Sequence, residues 1–174
     1  YSITFGGFVG LGNALPLYLT DWYHTSGIAA GLMAAMVVMA GSMARPLGGI
    51  LADRFGGIRT LQLLFVVVAV AYLTVSLLPQ GPAPVAVGNA KVAGWAFTEL
   101  PGIAWVAVAV FFLGATALGM GNGSVFQLVP LRFRNEIGVM TGLVGMTGGL
   151  GGFFLAKALG ISKRRTGGFM AGFS

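Results

Sequence analysis

The sequence predicts an all-α membrane bundle of about five complete transmembrane helices and the beginning of a sixth. Three observations lead there. Hydrophobic residues fill 56% of the 174 positions and charged residues only 8%, against roughly 25% charged in soluble domains. The apolar residues come in runs of about 20 or more, long enough to cross the hydrocarbon of a bilayer. Glycine occurs 30 times, as in membrane helices whose backbones approach closely.

The first expected span is Tyr1–Thr20, ended by Asp21 and His24. The second is Gly27–Ala52, ended by Asp53 and Arg54. The third is Thr60–Leu78, stopped by Pro79. The fourth is Gly102–Leu131, ended by Arg132 and Arg134, and the fifth is Ile137–Leu159. Ile161–Ser174 reads as the start of a further span. Pro79–Pro101, with Pro82, Pro84, Lys91 and Glu99, reads as an exposed loop with an interfacial piece around Trp95 and Phe97. Residues 1–174 thus form one unit with no soluble domain. The chain opens on Tyr1 inside an apolar run, without an initiator Met. It is expected to be part of a longer membrane protein.

Composition excludes several classes of function. There is no cysteine, hence no disulfide and no thiolate metal site. A net charge of +6 in so apolar a chain points to lipid headgroups and loop orientation rather than to nucleic acid. The single histidine, His24, lies in a loop, and no paired carboxylates or H-E-x-x-H occur in the spans. An intramembrane enzyme needs such groups, so neither catalysis nor a metal or cofactor is expected. Arg54 with Arg59, and Arg132 with Arg134, occupy two short loops on one side. The positive-inside rule makes that side cytoplasmic, with Trp22, Trp95 and Trp105 near the opposite interface. Lys163, Arg164 and Arg165 run against this bias.

Arg45 stands out. It is the only charge in Gly27–Ala52, and a guanidinium near a helix centre costs roughly 2.5–3.5 kcal/mol to insert. No acidic residue accompanies it in the apolar spans, so an anion is the natural counter-charge. Arg45 lies eight residues before Asp53, about 12 Å inside the cytoplasmic end. It is 21 residues past the turn at His24, while Phe5 and Tyr1 are 19 and 23 residues before it. Equal rise along both helices puts the three side chains at one depth. A phenol and an aromatic face beside an arginine can bond and sandwich a small planar anion. Asn122, ten residues before Arg132, falls about 15 Å from the same face, near that level. Asn122 and Gln127 also suit a role as interhelical glue. Pro46 is expected to kink the helix and re-aim Arg45 inward. In the fifth span Gly138/Gly142, Gly145/Gly149 and Gly148/Gly152 are each four apart, so each pair shares a helix face. Such faces suit close packing, bending or a small ligand, and Gly145 and Gly149 are taken as ligand-facing.

Gly49–Arg59 reads GILADRFGGIR. It resembles the cytoplasmic loop signature of the major facilitator superfamily, with Gly49, Asp53, Arg54, Gly56 and Arg59 in the matching places. Tyr1-x-x-x-Phe5-Gly6, Ala44-Arg45, GMGNGSVFQ at Gly119–Gln127 and GLVGMTGGLGGFFLAKALG at Gly142–Gly160 together resemble the nitrate/nitrite porters, the NarK-like branch of that superfamily. The glycine-rich stretch is similar to that branch's second signature helix, with Gly142, Gly148, Gly151, Gly152, Phe153, Phe154, Lys157 and Gly160 matching. The resemblance implies the C-terminal half of a twelve-helix, multi-pass transporter of the plasma (inner) membrane. It implies a central site in which each half gives one arginine, Arg45 being that of this half. Tyr1 and Phe5 match aromatics of the seventh helix that line the site. The implied activity is nitrate/nitrite exchange or proton-linked nitrate uptake by alternating access. The implied partners are the anion, the lipid bilayer and the N-terminal half of the same protein, which this chain lacks. A superfamily transporter of another small anion or an organic solute is the alternative.

Overall fold

Pro46 decides how the second apolar run folds. A proline has no N–H to offer the carbonyl four residues back, here that of Ser42, and its ring crowds that turn. In the computed structural model, which describes residues 1–23, 25–78 and 102–166, the run is accordingly two helices. α1 is Thr4–Tyr23, α2 Gly27–Met43, α3 Arg45–Phe55, α4 Gly57–Leu77, α5 Gly102–Arg132 and α6 Ile137–Thr166. The expected kink is a break at Ala44, with Pro46 in the first turn of α3, where a missing N–H costs nothing.

Local chemistry marks the other ends. Ser26 caps α2, its side chain accepting from the Ala29 N–H at 3.3 Å, which satisfies one of the free donors of the first turn. Gly56 joins α3 to α4 at φ +90°, a sparsely populated conformation that costs side-chain-bearing residues about 1–3 kcal/mol. Gly56→Ala is expected to lower stability by roughly that amount, read as a drop in the thermal unfolding midpoint of the purified protein. Ile161–Thr166 continues α6 without interruption; residues 167–174 and the expected loop Pro79–Pro101 lie outside the described residues.

α5 is the centre of the bundle and packs against α1, α2, α3 and α4, while α6 leans mainly on α1. Small residues permit this. A Cβ at Gly119 would collide with the Gly41 carbonyl, one at Gly48 with the Met120 backbone, and one at Gly6 with Gly151. Around these contacts Leu11, Leu15, Leu19, Met33, Val37, Phe111 and Leu118 are buried. Tyr18 and Phe111 meet edge to face at 5.3 Å.

The outer faces are equally apolar. Leu63, Val66, Val70, Leu73 and Leu77 on α4, and Val139, Leu143, Met146, Leu150 and Phe154 on α6, are exposed. Apolar surface of that extent suits lipid tails rather than water. Gly27–Phe55, Gly57–Leu77, Trp105–Arg132 and Ile137–Ser162 are long and apolar enough to cross a membrane. The expected first span is not among these four. α1 carries Asn13, Pro16, Thr20 and Asp21 and buries Phe8, Leu11, Ala14, Leu15, Tyr18 and Leu19 against its neighbours. A helix that faces protein needs less apolarity than one that faces lipid.

Candidate functional site

Tyr1, Phe5 and Phe8 follow one another at i, i+4 and i+7, so they share a face at the start of α1. Tyr1 and Phe5 stack, with ring centroids 5.2 Å apart and planes 7° from parallel. Phe126 of α5 meets Tyr1 edge-on at 5.0 Å. Arg45, the first residue of α3, brings its guanidinium carbon 6.0 Å from the Phe5 centroid and 5.5 Å from that of Phe8. Such cation–aromatic contacts contribute from about 0.5 to 2 kcal/mol each, more where water is excluded.

The aromatic faces supply only part of what a guanidinium demands. Arg45 makes no hydrogen bond or ion pair among the described residues, and its Nε is buried without a partner. Asn122 is 0% exposed, and both polar atoms of its amide lack a partner. A buried polar group left unpaired costs about 1–3 kcal/mol. Native interiors leave few such groups unpaired.

The backbones that carry them cross closely. A Cβ at Gly123 would collide with the Arg45 carbonyl, so only glycine lets α3 and α5 approach there. Ser124 then donates to the Gly48 carbonyl at 2.9 Å, pinning the crossing. Asn122 is the residue before Gly123 on that same turn of α5.

α6 closes the aromatic side, and here the expected glycines part company. Gly148 lies against the Tyr1 and Phe5 rings, and Gly152 against Val9. Gly145 and Gly149 are exposed, and a Cβ on either would meet nothing within 4 Å. The same is true of Gly142. Phe8 and Phe126 had not been singled out. The i+7 spacing from Tyr1 was the available signal for Phe8; nothing in the sequence pointed Phe126 at Tyr1.

The profile of the Major Facilitator Superfamily matches residues 1–156. The chain belongs to that superfamily. It is 32% identical over 167 residues to the "Probable nitrate/nitrite antiporter NarK1" of Thermus thermophilus, covering 96% of this chain and 37% of that protein. It is 32% identical over 173 residues to the "Nitrite extrusion protein" of Bacillus subtilis, covering 99% and 38%. It is 35% identical over 161 residues to the "Probable nitrate/nitrite transporter NarK2" of Mycobacterium tuberculosis, covering 92% and 35%. The chain spans little more than a third of the length of these curated relatives. As a member of this transporter superfamily it is a multi-pass membrane protein.

The superfamily loop lies at one end of the bundle, where α3 passes into α4. Asp53 is the acid of that loop. It accepts a hydrogen bond from Gln127 Nε2 at 2.5 Å, tying the loop to the C-terminal part of α5. Gln127 is therefore a tether of the loop. The bond also brings Arg54 and Arg59 to the same end of the bundle as Arg132 and Arg134. Trp105 is in the first turns of α5, at the other end, and 45% exposed. Thr60 donates to the Leu51 carbonyl at 3.3 Å, closing the turn around Gly56. Gly49 is half-buried, and its N–H lies beside Gly123.

Proposed function

We propose that this chain is the C-terminal half of a nitrate/nitrite porter that works by alternating access, with Arg45 as its anion-binding arginine. The observation that carries the reading is the uncommitted guanidinium of Arg45, held over Phe5 and Phe8 in a bundle with an apolar exterior. The names of the relatives, nitrate/nitrite antiporter and nitrite extrusion protein among them, point to the same ligand.

The chemistry fits a small planar oxyanion. A guanidinium offers a planar fork of donors, stays charged at any working pH and is weakly hydrated, as nitrate is. The stacked Tyr1 and Phe5 rings present a flat wall beside it. Asn122 supplies a further amide whose bonds are unspent. Gly148, without a side chain, leaves the rings room. Gly145 and Gly149 belong to the exposed side of α6, where they would meet the anion only together with the other half of the transporter. That half supplies the second arginine of the clamp. The apolar spans of this chain hold no Asp or Glu to relay protons, which favours exchange over proton coupling.

The test is flux. Proteoliposomes of the full-length protein are expected to move nitrate or nitrite in exchange for the other, and transport of organic solutes with neither anion would overturn the reading. Asn122→Leu separates site from scaffold. Removing both unpaired atoms with an isosteric apolar side chain should be neutral or stabilising to the fold. Nitrate flux should nevertheless fall by about 5- to 10-fold, the worth of one ordinary hydrogen bond. Unchanged flux would remove Asn122 from the site.

A further inference from the structure

A second charged feature lies away from Arg45. A cavity of about 400 Å³ opens beside the α3–α4 junction, lined by Leu51, Arg54, Phe55, Arg59, Thr60 and Leu63. Two positive side chains and three large apolar ones share one hollow. Thr60 is 3% exposed and forms its floor, its hydroxyl proton already given to the Leu51 carbonyl. Phe55 and Leu63, 62% and 60% exposed, form the outer rim. Their exposure runs on along α4 through Val66 and Val70, the outward apolar face of a helix fit to cross a membrane.

The charge balance is one-sided. Among the described residues neither Arg54 nor Arg59 has an ion-pair partner. Asp53, the nearest carboxylate in sequence, is engaged by Gln127. The hollow thus joins two free cations to an apolar track that leads into the hydrocarbon. A soluble anion would match the cations and waste the track. An apolar ligand would match the track and waste the cations.

We propose that this hollow binds the headgroup phosphate of an anionic phospholipid between Arg54 and Arg59, with its acyl chains along Phe55, Leu63 and the outer face of α4. The site is separate from the anion path at Arg45. Its side of the membrane agrees with the chemistry: loops rich in arginine face the leaflet that carries anionic lipid. Bound there, the lipid steadies the α3–α4 turn from the outside while Gln127 holds it from within.

Native mass spectrometry of the detergent-purified full-length transporter, titrated with phosphatidylglycerol or phosphatidylcholine, tests this. The wild type is expected to hold one phosphatidylglycerol more tightly than the rest and to show no such preference for phosphatidylcholine. Arg54→Gln with Arg59→Gln should weaken that first site about 5-fold per arginine. Arg132→Gln with Arg134→Gln, the same charge change at the same end of the bundle, should leave it in place. Leu63→Trp keeps both charges and fills the hollow, and should also weaken the site several-fold, so the conclusion does not rest on the arginine variants folding. Equal binding of the two lipids by the wild type would overturn the proposal. So would equal losses in the two arginine pairs, which would mean general surface charge. Displacement of the lipid by millimolar inorganic phosphate would show a site for free phosphate instead. A loss of thermal stability in the Arg54/Arg59 variant without any change in lipid binding would assign the two arginines to a carboxylate elsewhere in the protein.

Discussion

Replacing Arg45 by lysine in the full-length transporter is expected to cut nitrate flux by roughly 10- to 100-fold, the worth of one hydrogen bond to a charged group. The positive charge survives that substitution, so a site that needed only potential would tolerate it. Three features of the structure say that geometry matters. The guanidinium is a flat ion lying over the Phe5 and Phe8 rings, whereas an ammonium is a compact, strongly hydrated point charge. The buried Nε has no counterpart in lysine. A fork also binds two oxygens of a planar anion at once, which an ammonium does not. The measurement is initial nitrate uptake into proteoliposomes at equal protein incorporation. Wild-type flux from Arg45→Lys would show that the arginine is structural, and the proposed anion site would fall with it.

Gly123→Ala is expected to be among the most damaging single methyl groups that can be added near the site. Its Cβ would collide with the carbonyl of Arg45 itself, and backbone does not step aside as a side chain does. Overpacking of a close contact costs about 1–3 kcal/mol, and a backbone collision belongs at the upper end. The α3–α5 crossing has to open, moving Arg45 away from the rings, so stability and transport should fall together. Gly149→Ala supplies the contrast. It adds the same methyl to α6, where nothing lies within 4 Å, and should leave the thermal midpoint within about 0.5 kcal/mol of wild type, as for most surface substitutions. A midpoint for Gly123→Ala equal to that for Gly149→Ala would mean that the helices do not meet at Gly123.

Depth was legible in the sequence. Helices rise uniformly, so counting from the turn at His24 was enough to set Phe5 and Tyr1 level with Arg45. The structure has Arg45 at 6.0 Å from Phe5 and Phe5 stacked on Tyr1. Rotation about the helix axis was not legible. In α6 the glycines spread over one half of the helix, so spacing alone does not tell which of them meets α1. Gly148 meets the rings while Gly145 and Gly149 do not, and that follows from where Gly6 and Gly151 let α1 and α6 touch. Asp53 makes the same point. Its place in the loop was readable from the motif. Its partner, Gln127, lies 74 residues away; interhelical glue was the expected role for Gln127, but nothing in the motif named the residue it would hold.

The sequence by itself determined the membrane class, the run of long apolar helices, the arginine-rich end and the lone charge at depth. These follow from composition and from distance along a helix, both of which are linear properties. Only the tertiary structure decided which polar atoms find partners. Gln127 Nε2 is taken up by Asp53 and Ser124 by Gly48, while Gln127 Oε1, Arg45 Nε and the Asn122 amide are left over. That outcome depends on the close crossings at Gly41, Gly48, Gly119 and Gly123, where the absence of a Cβ on one helix sets the position of a side chain on another.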